Sequence, residues 1–350
     1  MKTELILIND ENLHSEDMQR AGQWIADGEL VAFPTETVYG LGGDALNPRA
    51  AEKIYAAKGR PSDNPLIVHI AEFEQLESIA ANPEPKAKKL AKAFWPGPLT
   101  MVIRKNDKVP AETTGGMDTV AVRMPSHPVA LELIRQSGCM IAAPSANTSG
   151  RPSPTQASHV MEDLDGRIAM VLDGGPVSIG LESTIIDLTE EKPMVLRPGY
   201  ITLGMLTQVL GEEVILDPGI KDTDEFTKPK APGMKYKHYA PKADMLIVDG
   251  ESERVIQEIN ERTRWALRQG KKVAVIATEE TRARYEADVV LSTGLRTDED
   301  EIAKQLYRIL RECDELEVDE IYSESFLTPR IGNAIMNRLL KAAGHQVLSV

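Results

Sequence analysis

Cysteine is almost missing from this 350-residue sequence: Cys139 and Cys313 are the only two, and neither belongs to a CxxC pair. That excludes a disulfide framework and a thiolate zinc site. No stretch approaches the roughly 18 consecutive apolar residues that a membrane-spanning helix needs. The opening MKTELILIND has neither a basic n-region nor a long apolar h-region, so a reduced, cytoplasmic setting is expected. Net positive charge is lacking too. Lys and Arg total 40 against 54 Asp and Glu, a formal charge of −14, which argues against a general nucleic-acid-binding surface. There is no GxxxxGK[ST] phosphate loop. In FPTETVYGLGGDA, Gly40, Gly42 and Ala45 have dinucleotide-fingerprint spacing, but Pro34-Thr35-Glu36-Thr37 intervenes after the apolar run. The fingerprint requires its glycines where the strand ends and a helix begins, so that reading fails.

What is present is an ordinary globular composition, 42% hydrophobic and 27% charged, long enough for about two domains. Ser15 reads as the cap of a helix running to Asp27, with Gly28 as its stop. ELVAFP and PLIVHI read as strands, PRAAEKIYAAKG and PKAKKLAKAFW as helices. Further strands are expected at LTMVIRK, TVAVRMP, CMIAAP, IAMVLDG, STIIDLT and PMVLRPG. Many are separated by turns instead of helices, which predicts an α/β unit over residues 1–217 built on a twisted, mixed sheet. Beyond residue 243, DMLIVDG, KKVAVIAT and VDEIYSES alternate with amphipathic helices around 251–269, 298–314 and 331–343. That pattern predicts a small, open, parallel-sheet α/β domain over 243–350.

The linker, 218–242, contains KPKAPGMKYKHYAPK, with five lysines, three prolines and no acid. It reads either as a stiff spacer or, since Tyr236 and Tyr239 interleave with the lysines, as a contact for a flat anion.

Local clusters of cations run against the acidic whole. Lys58, Arg60, Arg123, Arg151 and Arg197 all sit where strands meet loops, and together they predict one polyanion pocket at a sheet edge. AAPSANTSGRPSPT leaves a strand with five Ser or Thr and Asn147; such turns bind phosphate oxygens through hydroxyls and backbone amides. Thr35 and Thr37 are turn-formers or polar ligands, and His69 is a core histidine or an orienting group.

KGRPSDNPL, PTETVYGLG, FWPGPLT, VAVRMP, PSAN-SG and LESTIID…LRPG, in this order over roughly residues 15 to 210, resemble the YrdC-type threonylcarbamoyl-AMP synthase family. The linker and α/β tail resemble its long form. The resemblance implies an enzyme that joins L-threonine, bicarbonate and ATP into threonylcarbamoyl-AMP and releases pyrophosphate. Other proteins would then carry the group to tRNAs reading ANN codons, with no tight tRNA binding by this chain. It implies Lys58 and Arg60 as catalytic cations, and Arg60, Asn64, Thr119, Ser145, Asn147, Ser153 and Arg197 as ATP contacts. Thr37, His69, Arg123, the backbone at Ala143, and Ser183 would hold threonine. Lys235 and Tyr236 would belong to a linker covering the site. Mg²⁺ would arrive with ATP, with no dedicated metal site. Ala231 departs from the pattern, where a serine precedes PGMKY. The alternative function is a tRNA- or dsRNA-binding module without ATP chemistry.

Overall fold

The computed structural model describes residues 2–82, 85–220 and 238–350. By compactness the chain divides into two units. The first takes in the described residues of Met1–Ser149, Ser153–Ser178 and Glu182–Tyr236; the second comprises Gly150–Pro152, Ile179–Leu181 and the described part of Lys237–Val350.

The strands of the first unit are β1 (Glu4–Leu7), β2 (Val31–Phe33), β3 (Gly40–Asp44), β4 (Ile67–His69), β5 (Leu99–Arg104) and β6 (Thr119–Arg123). They continue with β7 (Ile141–Ala142), β8 (Met170–Asp173), β9 (Thr184–Asp187), β10 (Met194–Arg197) and β11 (Ile215–Leu216). Its helices are α1 (Glu16–Ala26), α2 (Pro48–Lys58), α3 (Phe73–Ile79) and α4 (Pro85–Phe94), then α5 (Ala111–Thr114), α6 (Pro128–Ser137), α7 (Ala157–Leu164) and α8 (Leu203–Leu210). The strands form one eleven-stranded sheet in the order β1-β8-β2-β3-β7-β4-β6-β5-β9-β10-β11. Parallel pairs such as β4–β6 alternate with antiparallel ones such as β5–β6, so the sheet is mixed, as the turn-separated strands predicted.

Ser15 caps α1, its side chain accepting from the Met18 N–H. The glycine-rich GLGGD forms strand β3, antiparallel to β2. A Cβ on Gly42 would stand 2.8 Å from both Ile141 Cγ2 and Phe33 Cε1. Glycine therefore serves close approach inside a sheet, not phosphate binding.

Alternation along the central strands separates two faces. Val68, Met101, Val122 and Ile186 enter the main core with apolar residues of α2, α4, α7 and α8 such as Ile54, Leu90, Val160 and Leu206. Ile67, Val102, Ala121 and Ile185 belong to a separate, smaller cluster. The candidate site lies on the side of these latter residues.

The second unit is a five-stranded parallel sheet in the order β14-β13-β15-β12-β16. Its strands are β12 (Asp244–Asp249), β13 (Val273–Ala277), β14 (Val289–Ser292), β15 (Glu320–Glu324) and β16 (Val347–Ser349), with helices α9 (Ser252–Arg268), α10 (Glu299–Glu315) and α11 (Gly332–Ala342). This is the open parallel sheet the βα alternation predicted.

In α1, Gly22 faces α6 so closely that a Cβ would lie 2.7 Å from the Gln136 carbonyl carbon and 2.8 Å from the Ser137 nitrogen. Backbone cannot rotate away. Gly22→Ala gains up to about 1 kcal/mol of helix propensity, yet we expect net destabilisation, because overpacking costs about 1–3 kcal/mol. Calorimetry should show the first unit melting several degrees lower; an unchanged or higher melting temperature would mean that α1 shifts without penalty.

Candidate active site

Sheet register assembles the site. Ile141 in β7 opposes His69 in β4, His69 opposes Arg123 in β6, and Arg123 opposes Thr100 in β5. The row continues through Ile185 in β9 to Arg197 in β10, where a register shift between Val195 and Arg197 re-aims the strand end. Opposed residues project to the same face, so one rung brings together three expected site residues from distant parts of the sequence. Thr100, which the sequence reading passed over, stands between them.

Arg123 is buried. Its Nη1 donates to Thr37 Oγ1 at 2.9 Å, and its Nη2 lies 2.7 Å from Oε1 of buried Glu36. Its Nε has no hydrogen-bond partner among the described residues. A buried guanidinium with a donor unspent is poised for a carboxylate. Glu36 Oε2 accepts from the Ser126 N–H at 3.1 Å.

Thr37 is held by a hydroxyl relay in its own turn. Thr35 Oγ1 donates to the Val38 carbonyl at 2.7 Å, so the Thr37 hydroxyl, 2.9 Å away, gives its hydrogen to Thr35. Its lone pair then receives Arg123.

His69 Nδ1 lies 3.1 Å from the Ile67 carbonyl. That contact requires the hydrogen on Nδ1 and leaves Nε2 as an acceptor. Burial, and secondarily the Arg123 charge, push its pKa down to about 3. The Ala143 N–H also donates to Ile67 O, so of the Ala143 backbone it is the carbonyl, not the amide, that could meet a ligand. Ser183, just before β9, is fully buried. Its hydroxyl lies 2.7 Å from Thr100 Oγ1 and receives Arg197 Nη2 at 3.1 Å, while Arg197 Nε donates to the Ser183 carbonyl. Residues expected to hold threonine and ATP thus share one hydrogen-bonded chain.

Lys58, at the end of α2, points inward and is buried. Its ammonium donates to the carbonyls of Ser145 and Asn147. Ser145 Oγ donates to Asn147 Oδ1 at 2.6 Å, and the Ser149 N–H returns to the Lys58 carbonyl. The lysine pins the PSAN loop to the KGRPSDN loop. Arg60 Nη2 donates to the Pro65 carbonyl at 3.0 Å and the Asn64 carbonyl at 3.3 Å. Asn64 Oδ1 is enclosed with no hydrogen-bond partner among the described residues. Ser153 Oγ donates to Glu182 Oε1 at 2.6 Å. Thr119 lies at the opposite end of β6 from Arg123, about 13 Å along the strand. Arg151 falls in the second unit, 3.7 Å from Asp314. Lys235 and Tyr236 lie outside the described residues.

A fold of this kind, with this strand-end site, defines a class of α/β protein. Residues 23–199 match the Sua5/YciO/YrdC family model, which carries the description telomere recombination. Residues 201–344 match the C-terminal domain of threonylcarbamoyl-AMP synthase. The Bacillus subtilis threonylcarbamoyl-AMP synthase is 50% identical over 99% of this chain and 100% of its own, and the Pyrococcus abyssi one 49% identical over 99% of both. A crystal structure of P. abyssi Sua5 complexed with L-threonine superposes with a TM-score of 0.93 at 47% identity, covering 100% of each chain. Escherichia coli YciO, at 22% identity and a TM-score of 0.51 over 57% of this chain and 95% of its own, shares the fold. The chain belongs to the threonylcarbamoyl-AMP synthase family, a family of enzymes.

The neutral state of His69 has a measurable consequence. With a folded pKa of about 3 against roughly 6.5 unfolded, the unfolded chain binds the extra proton. The contribution to stability is complete above pH 6.5 and is lost as pH falls towards 3. Chemical denaturation between pH 6.5 and 4 should show a shallower pH slope for His69→Gln than for wild type. Parallel slopes would mean that the imidazole is free to charge.

Proposed function

We propose that this chain condenses L-threonine, bicarbonate and MgATP into threonylcarbamoyl-AMP with release of pyrophosphate. The product would pass to other proteins that modify tRNAs reading ANN codons. The observation that carries this reading is the His69–Arg123–Thr100 rung, with an unspent guanidinium donor beside a neutral imidazole acceptor. An amino acid with a β-hydroxyl matches that set: Arg123 Nε takes its carboxylate, while His69 Nε2, Thr37 and Ser183 surround its polar groups.

Bicarbonate takes up a proton and loses water to give carbon dioxide. Threonine's ammonium gives up a proton, the free amine bonds to that carbon and loses a second proton to become a carbamate, and a carbamate oxygen attacks the α-phosphorus of ATP. The bond from that phosphorus to the bridging oxygen breaks, and pyrophosphate leaves. Such displacement depends on alignment and on charge neutralisation more than on covalent help. Arg197 stands one hydroxyl away from the threonine side, through Ser183, so it can neutralise phosphate oxygens next to the carbamate. Arg60 supplies a second guanidinium and Lys58 braces the loop carrying Ser145 and Asn147. Asn64 Oδ1 offers an enclosed acceptor for an amino group. Mg²⁺ would arrive as part of the nucleotide substrate and would supply charge neutralisation on the phosphates. The charge of −14 speaks against tight tRNA binding at physiological salt.

Arg60→Ala should fold normally and lower pyrophosphate release about 10- to 150-fold, since a charge-assisted contact is worth roughly 1.5–3 kcal/mol. Near-normal turnover would remove Arg60 from the site. Specificity gives an independent check. Serine lacks one methyl and should be disfavoured by only about 10- to 200-fold, whereas valine leaves buried polar groups unpaired and should lose about four orders of magnitude. Valine competing as well as serine would show that no hydroxyl is read.

A further inference from the structure

We infer that Glu36 determines which ligand charge the Arg123 pocket accepts, setting it for a zwitterionic amino acid against a plain hydroxy-carboxylate. The inference rests on the reading of this pocket as the threonine site.

Arg123 and Glu36 are both buried and carry opposite charges 2.7 Å apart. Despite that separation, neither Arg123 Nη2 nor Glu36 Oε1 has a hydrogen-bond partner among the described residues. The two groups are paired but out of line, and a carboxylate oxygen has two lone pairs, so Oε1 keeps acceptor capacity beyond its ion pair with Arg123. Oε1 remains a charged acceptor and Nε a charged donor, both enclosed. An α-amino acid presents the complementary pair, an ammonium and a carboxylate, on one carbon. The other groups beside Glu36 add no charge: Thr35 and Thr37 are hydroxyls, and burial keeps His69 and His127 below their ordinary pKa; Arg197 stands farther off, beyond Ser183.

Glu36 is held for this role on three sides. Its Oε2 accepts from the Ser126 N–H, its carbonyl accepts from Ser178 Oγ at 3.3 Å, and its own chain continues into the Thr35–Val38 turn. The acceptor therefore stays in place when no ligand is bound. A pocket holding Arg123 alone would have a net positive charge and would favour an anion. With Glu36 the two charges sum to zero, and a lone carboxylate would compete with Glu36 for Arg123 while giving Oε1 no donor in return, at a penalty that threonine avoids.

Titration calorimetry on the full chain tests this with three ligands of one shape. L-Threonine is the zwitterion, 3-hydroxybutanoate lacks the ammonium, and L-threoninol lacks the carboxylate. Wild type should bind threonine at least tenfold more tightly than either analogue. Glu36→Gln, nearly the same in shape, should cut the preference for threonine over 3-hydroxybutanoate at least tenfold, with 3-hydroxybutanoate bound as tightly as in wild type or more so. A merely structural Glu36 would weaken both ligands alike, and that result overturns the inference. The wild-type series is decisive even if the variant misfolds, because 3-hydroxybutanoate binding within tenfold of threonine would itself overturn the inference. Failure of wild type to bind any of the three would instead reject the reading of the pocket, and this inference with it.

Discussion

Arg123 cannot be buried at the end of β6 without compensation, and much of the site follows from how that compensation is made. An isolated buried charge is strongly unfavourable, and a buried ion pair holds only when its remaining donors and acceptors are met. Glu36 supplies the opposite charge and Thr37 takes one nitrogen. Thr37 can do so because Thr35 relieves it of its own hydrogen. The remaining guanidinium edge is left without a partner among the described residues. The PTETV turn is thus the counter-surface that makes the arginine tolerable.

Lys58 solves a similar problem differently. Its charge is met by the carbonyls of Ser145 and Asn147, and charge-assisted hydrogen bonds of this kind are stronger than neutral ones. The contact ties together two loops far apart in the sequence, so the lysine fixes the geometry of Ser145 and Asn147. The second unit again places a carboxylate at a strand end. Buried Glu324 closes β15, and Tyr285 donates to it at 2.7 Å while Thr281 and Arg296 donate to it as well.

Two interactions keep the two halves of the candidate site in step. Thr100 contacts Ser183, and Ser183 receives Arg197. All three are buried, and in a dry environment such chains hold their members to one arrangement. The hydroxyls of Thr100 and Ser183 therefore link the strand rung to the Arg197 guanidinium, with no titratable group between them.

Sequence periodicity by itself determined where most elements run. Period-two apolar stretches became strands, a serine became the cap of α1, and βα alternation became the parallel sheet, because each depends on local sterics and burial. Motifs in order were enough to place the chain's family, and the structure sets Thr37, His69, Arg123, Ser183 and Arg197, which the resemblance points to, within one hydrogen-bonded neighbourhood. Other features were invisible for physical reasons. No local signal marks GLGGD as a strand, because glycine is rare in strands; only the ring of Phe33 and the methyl of Ile141, brought by other segments, explain it. Thr100 reads as one more residue of an apolar strand, and nothing local marks Glu36 as buried. What only the tertiary structure decided is the pairing register. It sets His69, Thr100 and Arg123 on one rung and Glu36 against the guanidinium, because hydrogen bonding between strands depends on partners that no local stretch of the chain contains.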